Sequence, residues 1–341
     1  MKKLQVAFDE RSYDILIKKG SLSSMAELFE IKNKRAFVIT DSGVPKEYAE
    51  AVASGFNNAY IYTVNQGEGS KSLEAYGKVM AKMLELELTR KDICIAVGGG
   101  VVGDLSGFAA STYMRGIDFY NVPTTTLSMV DSSIGGKTAI NHGGVKNIVG
   151  AFYQPKGVLI DTDTLKTLDR RQWASGIAES IKMALTSDAE LFKILESEVS
   201  LADEMEDIII RSLMIKKSVV EEDEREGGIR KILNFGHTYG HAVEAAEEMH
   251  CMYHGECVAI GMVAVTEGEV KERLVSLLKR YSLPTEYRDK SGRAFDFITK
   301  DKKRNGNKID IVLVPKIGKY EIKPMTTEEF IDLIKKGEQK R

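Results

Sequence analysis

The segment at residues 92–97, DICIAV, and the glycines that follow it constrain the fold more than any other part of the chain. The segment is continuously apolar after Asp92, which is typical of a strand buried on both faces of a sheet. Strand-like segments at 35–40 and 58–64 precede it, with helical segments between them. Strands that alternate with helices predict a mostly parallel α/β sheet, to which we also assign residues 118–122 and 157–160.

The pattern changes near residue 173, where long helical segments replace the alternation of strands and helices. Helices are predicted at 174–186, 189–197, 203–222, 238–249, 256–273 and 276–281, and a small hairpin at 309–315 and 320–322. A chain of 341 residues is also too long for one ordinary core. We therefore expect a Rossmann-like α/β domain at residues 1–170 and a mainly α-helical domain at residues 171–341.

Composition and charge exclude several classes of function. The formal net charge of −2 gives no basic footprint for nucleic acid. No run approaches the roughly 18 apolar residues that span a membrane, and the N-terminus, MKKLQVAFDERSYD, lacks the apolar segment of a signal peptide. The three cysteines have no CxxC spacing and cannot form a disulfide framework, so we expect a cytoplasmic protein.

Four of the five histidines fall within residues 233–256. His237 and His241 are four residues apart, so a helix would place them on one face. His254 can join them only if the chain turns back near residues 249–253. Imidazoles with a carboxylate from elsewhere are what a catalytic Zn²⁺ needs, with one position left open. The alternative is a solvated helix that happens to carry histidines, and His250 has no assigned role.

The glycine-rich loop at residues 98–104, GGGVVGD, leads from the apolar strand into a predicted helix. It contains GxGxxG, whose glycines let backbone N–H groups approach a pyrophosphate at a helix N-terminus. Unlike an ordinary dehydrogenase, the loop does not follow the first strand, and no acidic residue closes the next one. Asp41, at the end of an earlier strand, is the better candidate for a ribose hydroxyl. A dinucleotide fits best, and a structural glycine turn is the alternative.

A block at residues 123–146 is rich in Ser, Thr, Gly and Asn, and we expect it not to form a core. Lys137 follows two glycines, but the GxxxxGK[ST] spacing is absent, so a Walker-type phosphate loop is rejected. At 24 residues the block is long for an idle loop. We interpret it as the floor of a site that supplies Asp131, Lys137, Lys146 and Asn147. A flexible surface loop is the alternative.

Basic residues in the second half could bind an anionic substrate. Lys216, Arg230 and the pair Lys302 and Lys303 could face one cleft beside a metal, which would favour a phosphate or carboxylate group. Taken singly, each could equally be a surface charge. Glu179 has apolar neighbours on a predicted helix and could point into a partly dry space, although spacing alone does not select it over other acids.

Six motifs extend over nearly the whole chain. They are GGGVVGDLSGFAASTYMRG (98–116), VPTTTLSMVDSSIGGKTAIN (122–141), VKNIVGAFYQP (145–155), GIAESIK (176–182), EREGGIRKILNFGHTYGHA (224–242) and HGECVAIGM (254–262). In this order and spacing they resemble the 3-dehydroquinate synthases of the sugar-phosphate cyclase family, which is related to the iron- and zinc-dependent glycerol dehydrogenases. The match depends on all six motifs in register rather than on any one of them.

The resemblance implies an N-terminal NAD-binding domain and a C-terminal metal- and substrate-binding domain, with the active site between them. It implies Zn²⁺, for which Co²⁺ could substitute, held by Glu179, His237 and His254. His241 then contacts the substrate, in contrast to the shared metal role that its spacing from His237 suggests.

The resemblance also implies contacts for the other ligands. Contacts with NAD are implied for Asp41, Glu68, Lys71, Gly100, Val101, Val102, Gly103, Asp104, Thr124, Thr125, Lys137, Lys146, Thr164, Leu165, Lys166 and Thr167. Substrate or catalytic positions are implied for Asp131, Lys137, Asn147, Lys182, Lys216, Arg230, Asn234 and His241. Arg115 matches a position that reaches a substrate phosphate across a dimer interface, so a homodimer is implied. Gln66 stands where an aspartate is more usual, and either Lys302 or Lys303 would bind substrate.

The activity implied is the conversion of 3-deoxy-D-arabino-heptulosonate 7-phosphate to 3-dehydroquinate and phosphate, a step of the shikimate pathway toward chorismate and the aromatic amino acids. In this reaction NAD⁺ oxidises a substrate hydroxyl and phosphate leaves by β-elimination. The hydride then returns, and the ring opens and closes by an aldol step. Two alternatives are a glycerol-dehydrogenase-like enzyme with net redox chemistry and a cyclase that acts on a different sugar phosphate.

Overall fold

The computed structural model divides the chain into two compact units, Met1–Leu168 and Asp169–Arg341. It describes residues 1–8, 11–197, 201–225, 227–247, 252–288, 292–305 and 308–339. For residues 201–203, 300–305 and 337–339 it describes the backbone alone. His250 therefore lies outside the described residues, as do the side chains of Lys302 and Lys303.

Unit 1 alternates strands with helices along most of its length. Its strands are β1 (Lys2–Val6), β2 (Tyr13–Ile17), β3 (Arg35–Asp41), β4 (Asn58–Val64), β5 (Ile93–Gly98), β6 (Asp118–Pro123), β7 (Lys137–His142), β8 (Val145–Phe152) and β9 (Gly157–Ile160). Its helices are α1 (Met25–Leu28), α2 (Lys46–Ser54), α3 (Leu73–Glu85) and α4 (Gly100–Thr112), with a π-helix at Ser128–Ser132 and short 3-10 helices that include Glu68–Ser70 and Thr162–Thr167.

A seven-stranded sheet of order β1-β2-β9-β6-β5-β3-β4 forms the frame of unit 1. Only the β1–β2 pair of this sheet is antiparallel, so the α/β class with a mostly parallel sheet is confirmed. The strand order reverses at β3 and β5, because the chain goes from β3 out to β4 and then returns to the other side of β3. Open α/β sheets bind ligands outside the carboxyl ends of their strands at such a reversal.

Strand β5 is buried on both faces, as its unbroken apolar sequence predicts. Cys94 and Ala96 pack in one core cluster together with Phe108 of α4. Ile93, Ile95 and Val97 pack in a second core cluster on the other face of the sheet, together with Val52 of α2. The start of α4 is therefore held against the centre of the sheet, immediately after the glycine-rich loop.

The polar block at residues 123–146 is partly a core segment, so our expectation that it would not form a core was wrong. Met129 and Val130 of the π-helix are fully buried, and Ile140 of β7 joins the larger core cluster. The block tolerates burial because its polar groups bond locally: the Thr138 hydroxyl, for example, donates to the Ala151 carbonyl oxygen at 2.9 Å across the β7–β8 hairpin.

Unit 2 is mainly helical. Its helices are α5 (Arg170–Ser187), α6 (Ala189–Glu196), α7 (Leu201–Glu222), α8 (His237–Ala246), α9 (His254–Ala264), α10 (Gly268–Arg280), α11 (Arg293–Asn305) and α12 (Thr327–Gln339), with a 3-10 helix at Ile229–Asn234. Strands β10 (Lys308–Lys316) and β11 (Lys319–Thr326) pair as an antiparallel hairpin. Within the described ranges no helix combines the length and the apolar character that crossing a membrane requires.

One helix predicted from the sequence is two helices. Residues 256–273 were expected to be continuous, but α9 ends at Ala264 and α10 begins at Gly268, which has a φ of +60°. A left-handed residue interrupts the backbone hydrogen bonds of a right-handed helix. The segment predicted at 276–281 is consequently the end of α10 rather than a separate helix.

Helices α8 and α9 approach each other through glycines. A Cβ on Gly261 would lie 1.9 Å from the Gly236 carbonyl oxygen, and a Cβ on Gly240 would lie 2.9 Å from the Cys257 carbonyl oxygen. Backbone cannot yield as a flexible side chain can, so these positions accept no larger residue without separating the helices.

We expect Gly261→Ala to lower the free energy of unfolding of unit 2 by about 3 kcal/mol, because the added methyl group overlaps backbone. Urea unfolding can be followed by the fluorescence of Trp173, the single tryptophan, which packs against Tyr281 in this unit. Gly77→Ala in α3 of unit 1 is the control, since nothing lies within 4 Å of that position, and its unfolding is followed by far-UV circular dichroism, which reports both units. An unchanged midpoint for Gly261→Ala would show that α8 and α9 can separate freely.

Candidate active site

Glu179 is a fully buried carboxylate in the middle of α5. Residues 174–186 of this helix are all buried, and small residues such as Gly176 and Ala178 let neighbouring elements approach closely. Lys182, one turn later, donates a hydrogen bond from Nζ to Glu179 Oε2. Oε1 is buried and has no hydrogen-bond partner among the residues that the structure describes. A buried carboxylate oxygen without a hydrogen bond is costly, and a bound cation would offset that cost.

Two imidazoles face this unpaired oxygen. Glu179 Oε1 lies 3.4 Å from His254 Nε2 and 3.7 Å from His237 Nε2. His237 is the first residue of α8 and His254 the first residue of α9, so each is placed by a helix start. His237 Nδ1 lies 3.1 Å from the Phe235 carbonyl oxygen, and His254 Nδ1 lies 3.2 Å from Glu244 Oε2. Donation from each Nδ1–H leaves the Nε2 lone pairs for a metal.

The electrostatics of the cluster favour a carboxylate anion beside imidazoles. Burial opposes ionisation of Glu179, but the Lys182 ammonium and the imidazoles outweigh it and hold the pKa of Glu179 well below its usual range. Burial and Lys182 hold the pKa of His237 well below its usual value. At His254 burial opposes the charged form, but the carboxylates of Glu179 and Glu244 raise its pKa to about 10. A cation here would replace that proton, because a ligating imidazole must be neutral.

The donor set fits Zn²⁺. Tetrahedral ligands at about 2.0–2.1 Å from Zn²⁺ lie about 3.3 Å from one another, close to the two oxygen–nitrogen separations seen here. One carboxylate and two histidines leave a coordination position open, as catalytic zinc sites do. Nitrogens of His237, His241 and His254 also lie within 4.8 Å of one another. We prefer the set with Glu179, because its buried Oε1 makes no hydrogen bond within the described residues and His241 is exposed.

Glu244 is a residue that the sequence reasoning missed. It lies seven residues after His237 and three after His241, so α8 presents all three on one face. Its contact with His254 Nδ1 is the carboxylate–histidine arrangement that orients metal-binding imidazoles. The spacing of His237, His241 and Glu244 was the signal that could have identified it.

Two of the basic residues proposed to bind an anionic substrate are buried, so for Lys216 and Arg230 the surface-charge alternative is excluded. Lys216 is 6% exposed and Arg230 is 2% exposed. Lys216 follows Ser212 by one helical turn. The Ser212 hydroxyl donates to Ser180 Oγ at 3.0 Å, and Ser180 is the residue after Glu179. Lys216 therefore lies on the side of α7 that packs against α5. Asn234, at the end of the 3-10 helix, is exposed.

The glycine-rich loop of unit 1 lies at the reversal of strand order. It connects β5 to α4, and Gly99 immediately precedes the helix. A Cβ on Gly99 would lie 3.1 Å from Thr125 Cγ2, and one on Gly100 would lie 3.2 Å from Ser132 Oγ. The glycines thus keep the backbone N–H groups at the helix start accessible while neighbouring loops pack closely, as phosphate binding requires.

Asp41 ends β3 and closes the turn after it. Its Oδ1 accepts backbone hydrogen bonds from Gly43 at 2.7 Å and Val44 at 3.2 Å. Burial raises the pKa of Asp41, and these two hydrogen bonds partly offset that effect. A Cβ on Gly43 would lie 2.2 Å from Gln66 Cδ, so Gln66 covers the turn. An aspartate at position 66 would place a second carboxylate beside this turn, whereas the amide is neutral.

Lys71 joins two segments that the sequence assigned to NAD and the β7–β8 hairpin, where Asn147 was assigned to the substrate. Its Nζ donates to Asp104 Oδ2 at 2.6 Å and to Asn147 Oδ1, and its side chain is 5% exposed. Asn147 is held in the left-handed region at a φ of +55°. In a second link, Asn141 Nδ2 donates to Glu68 Oε1 at 2.8 Å. The loop at residues 66–71, the start of α4 and the β7–β8 hairpin are therefore connected.

The remaining candidates of unit 1 lie on the loops that follow strands or on the hairpin. Thr124 is buried and Thr125 half-buried after β6, and Asp131 is half-buried in the π-helix. On the β7–β8 hairpin, Lys137 is exposed and Lys146 half-buried. In the last 3-10 helix Thr164 is buried, Leu165 is half-buried, and Lys166 and Thr167 are exposed. Arg115 is exposed with a φ of +70° and precedes the first residue of β6 by three positions, so it does not follow the carboxyl end of a strand.

Two family models match the chain. The model described as 3-dehydroquinate synthase N-terminal matches residues 61–175, and the one described as 3-dehydroquinate synthase C-terminal matches residues 176–304. The chain belongs to the 3-dehydroquinate synthase family. A 3-dehydroquinate synthase of Streptococcus sanguinis is 42% identical over 98% of this chain and 100% of its own length. One from Enterococcus faecalis is 46% identical over 96% of this chain and 97% of its own length.

Solved structures of related enzymes share the fold. A 2-deoxy-scyllo-inosose synthase complexed with carbaglucose-6-phosphate, NAD⁺ and Co²⁺ has a TM-score of 0.86 at 26% identity, with 98% of this chain and 100% of that chain covered. A 2-epi-5-epi-valiolone synthase of Streptomyces hygroscopicus with NAD⁺ and Zn²⁺ bound has a TM-score of 0.87 at 26% identity, covering 98% and 99%. A glycerol dehydrogenase of Schizosaccharomyces pombe, at 16% identity and a TM-score of 0.65, shares the fold alone.

Removing a metal ligand should remove the metal. We expect the wild-type chain to hold about one Zn²⁺ and His254→Ala or Glu179→Ala to hold almost none, because two remaining ligands bind zinc weakly. His241→Ala is the discriminating variant, since it should retain Zn²⁺. Metal content after dialysis, measured by inductively coupled plasma mass spectrometry, provides the test. Loss of zinc from His241→Ala with retention in Glu179→Ala would assign the site to the three histidines instead.

Proposed function

We propose that this chain is a carbon–oxygen lyase that converts 3-deoxy-D-arabino-heptulosonate 7-phosphate to 3-dehydroquinate and phosphate, with NAD and Zn²⁺ as cofactors. The observation that carries the proposal is the buried, unpaired Oε1 of Glu179, which faces the Nε2 atoms of two histidines. Curated relatives named 3-dehydroquinate synthase, 41–46% identical over nearly the full length, support this substrate over that of other cyclases.

The residues suit the two cofactors. We propose that Glu179, His237 and His254 hold the metal, and that the glycine-rich loop with Asp41 and the neighbouring strand ends holds NAD. Bound Zn²⁺ would supply Lewis acidity to a substrate hydroxyl, and bound NAD⁺ would accept a hydride and return it, so the net redox change is zero.

Charged residues of unit 2 suit an anionic substrate. The Lys182 ammonium, within hydrogen-bond reach of Glu179, keeps that carboxylate ionised and ready for a cation. Lys216 and Arg230 are buried cations, and Arg230 Nη1 also donates to the Glu224 carbonyl oxygen at 2.5 Å. A bound anion would add an opposite charge to these sites. We assign them to the phosphate and carboxylate groups of the substrate, whose binding orients the reacting carbon. We propose that His241 and Asp131 contact the substrate and relay protons.

The proposed reaction has a distinct stoichiometry. With the heptulosonate phosphate and NAD⁺, we expect equal amounts of phosphate and 3-dehydroquinate and no accumulation of NADH, because the hydride is returned in each turnover. Phosphate release, product chromatography and NADH absorbance would be measured on one sample, with and without a chelator. Chelation should abolish release, and added Zn²⁺ or Co²⁺ should restore it.

Other outcomes identify the rival functions. Growth of NADH in proportion to substrate would indicate a net dehydrogenase like the glycerol dehydrogenases. Turnover of a different sugar phosphate to an inosose or a valiolone, with none of the heptulosonate phosphate, would indicate a different sugar-phosphate cyclase. Full activity in the presence of the chelator would refute the metal requirement.

We also propose a cytoplasmic homodimer. Strand β4 forms the edge of the seven-stranded sheet and contains no charged residue in its sequence NAYIYTV. It exposes Tyr60 and Ile61, and edge strands of monomers usually carry charges that prevent pairing. Self-association of identical chains commonly produces twofold dimers. Cys94 and Cys257 are buried and form no disulfide in the part of the chain that the structure describes, which is consistent with a reducing compartment.

We expect light scattering to give a molar mass near twice the 37.8 kDa of one chain. Ile61→Lys should shift the mass toward that of one chain, because it adds a charge to the exposed edge. Lys78→Glu, a charge change on the exposed side of α3, is the control and should leave the mass unchanged. A mass of one chain for the wild type at micromolar concentration would refute the dimer.

A further inference from the structure

His254 is the first residue of α9, so the path of the chain at this helix start decides where its imidazole lies. The next residue is fixed against α5: the Gly255 N–H donates to Ser175 Oγ at 3.0 Å. A Cβ on Gly255 would lie 1.9 Å from the Ser175 carbonyl oxygen, so backbone meets backbone here. Ser175 precedes Glu179 by one turn of α5, which places this contact beside the carboxylate.

Tyr253 and Glu256, which lie close to Gly255 in the chain, are held by Arg171, an arginine of α5. Glu256 accepts a hydrogen bond from the Tyr253 N–H at 2.8 Å and hydrogen bonds from Nε and Nη2 of Arg171, the latter at 2.7 Å. The Arg171 guanidinium also lies 4.9 Å from the centroid of the Tyr253 ring, within the range of a cation–π interaction. We call Arg171, Tyr253 and Glu256 the Arg171 clamp.

Two residues of the Arg171 clamp lie on either side of His254 in the chain, and the third, Arg171, belongs to α5. Arg171 lies in the first turn of α5, eight residues before Glu179, and its two partners lie one residue before and two residues after His254. A bidentate arginine–carboxylate pair fixes orientation as well as distance. The Glu256 side chain is 8% exposed, whereas the Arg171 side chain that pairs with it is 53% exposed.

Two kinds of contact hold the start of α9. Gly255 meets Ser175 backbone to backbone, and the Arg171 clamp adds ionic and hydrogen-bonded contacts at Tyr253 and Glu256. Arg171 and Glu256 also line an open pocket of about 480 Å³, together with residues that include Met252, Lys279 and Leu283. The clamp therefore constrains Tyr253, and through it His254, on a side of α9 that faces this pocket.

We propose that the Arg171 clamp is a positioning device for the metal site, which holds His254 Nε2 at binding distance from Glu179 Oε1 and thereby sets the affinity for Zn²⁺. This inference rests on the proposed metal site. None of the three residues contacts the metal, so each acts through His254. Outer contacts that orient a ligating histidine typically change metal affinity by about 10- to 100-fold.

Unit 2 contains a second arginine with the same set of contacts. Arg273 binds Glu196 in bidentate geometry, with Nε to Oε1 at 3.0 Å and Nη2 to Oε2 at 2.5 Å. Its guanidinium lies 5.2 Å from the centroid of the Phe192 ring. These residues are on α6 and α10, which carry none of the proposed metal ligands. Arg273→Gln is therefore a matched control for Arg171→Gln.

The experiment measures the Zn²⁺ dissociation constant of the full chain by competition with a chromophoric chelator. We expect Arg171→Gln to weaken Zn²⁺ binding by about 10- to 100-fold and Arg273→Gln to change it by less than about twofold. Glu256→Gln, a smaller change that keeps the side-chain shape, should also weaken binding. The visible spectrum of the Co²⁺ form should change for Arg171→Gln but not for Arg273→Gln, because it reports the geometry of the ligands.

Urea unfolding of each variant separates positioning from stability. The two arginine variants should lower the unfolding midpoint by similar amounts, although only one should lose affinity for zinc. Wild-type affinity in both Arg171→Gln and Glu256→Gln would overturn the inference, as would an equal loss in Arg273→Gln. If the clamp variants bind normally while His254→Ala does not, the inference alone fails. If the wild type binds no Zn²⁺, the proposed function fails together with it.

Discussion

The buried carboxylate of Glu179 is the constraint on which the second unit depends. An ionised group loses its hydration on burial, and contacts with apolar side chains do not offset that free-energy cost. Lys182 offsets that cost at Oε2, and the histidines that begin α8 and α9 face Oε1. Negative charge remains at Oε1 beside the imidazole nitrogens. A divalent cation bound between Oε1 and the two Nε2 atoms would neutralise that charge. The groups that make burial of Glu179 tolerable are therefore the same groups that would bind a metal ion.

Bringing two helix starts to one carboxylate requires backbones in contact. The glycines at positions 236, 240, 255 and 261 allow this, because their Cβ atoms would overlap main-chain atoms of the facing segment. Their role is to admit no side chain rather than to provide flexibility. The glycines set the distance between the helices but not their rotation. The Arg171 clamp fixes the orientation of the start of α9 relative to α5.

The sequence predicted features whose signals are local. The unbroken apolar run of β5 indicated a strand buried on both faces, and the four-residue spacing of His237 and His241 indicated a shared helix face. The break between α9 and α10 was missed, because residues 256–273 keep a helical composition and contain no proline. Contacts between distant residues were also missed, since Arg171 and Glu256 are 85 residues apart and no local pattern encodes such a pair.

Cofactor and metal assignments had a different origin. Spacing alone suggested His237 and His241 as a metal pair and gave no reason to choose Glu179 among the acids. The six motifs chose Glu179, and the structure then supplied a physical reason in the unpaired oxygen. Burial of Lys216 and Arg230 likewise could not be read from sequence, because a cation on a helix looks the same whether its face is wet or dry.

The buried ammonium of Lys71 has a mechanical consequence for the first unit. It is shared by Asp104 at the start of α4 and Asn147 on the β7–β8 hairpin, and its own backbone carbonyl oxygen accepts a hydrogen bond from the Asn141 N–H at 2.8 Å. Lys71 therefore ties three loops together through its side chain and its backbone. Displacing the start of α4 breaks the ion pair with Asp104, and displacing the hairpin breaks the contacts with Asn147 and Asn141, so the movements of the three loops are coupled through Lys71.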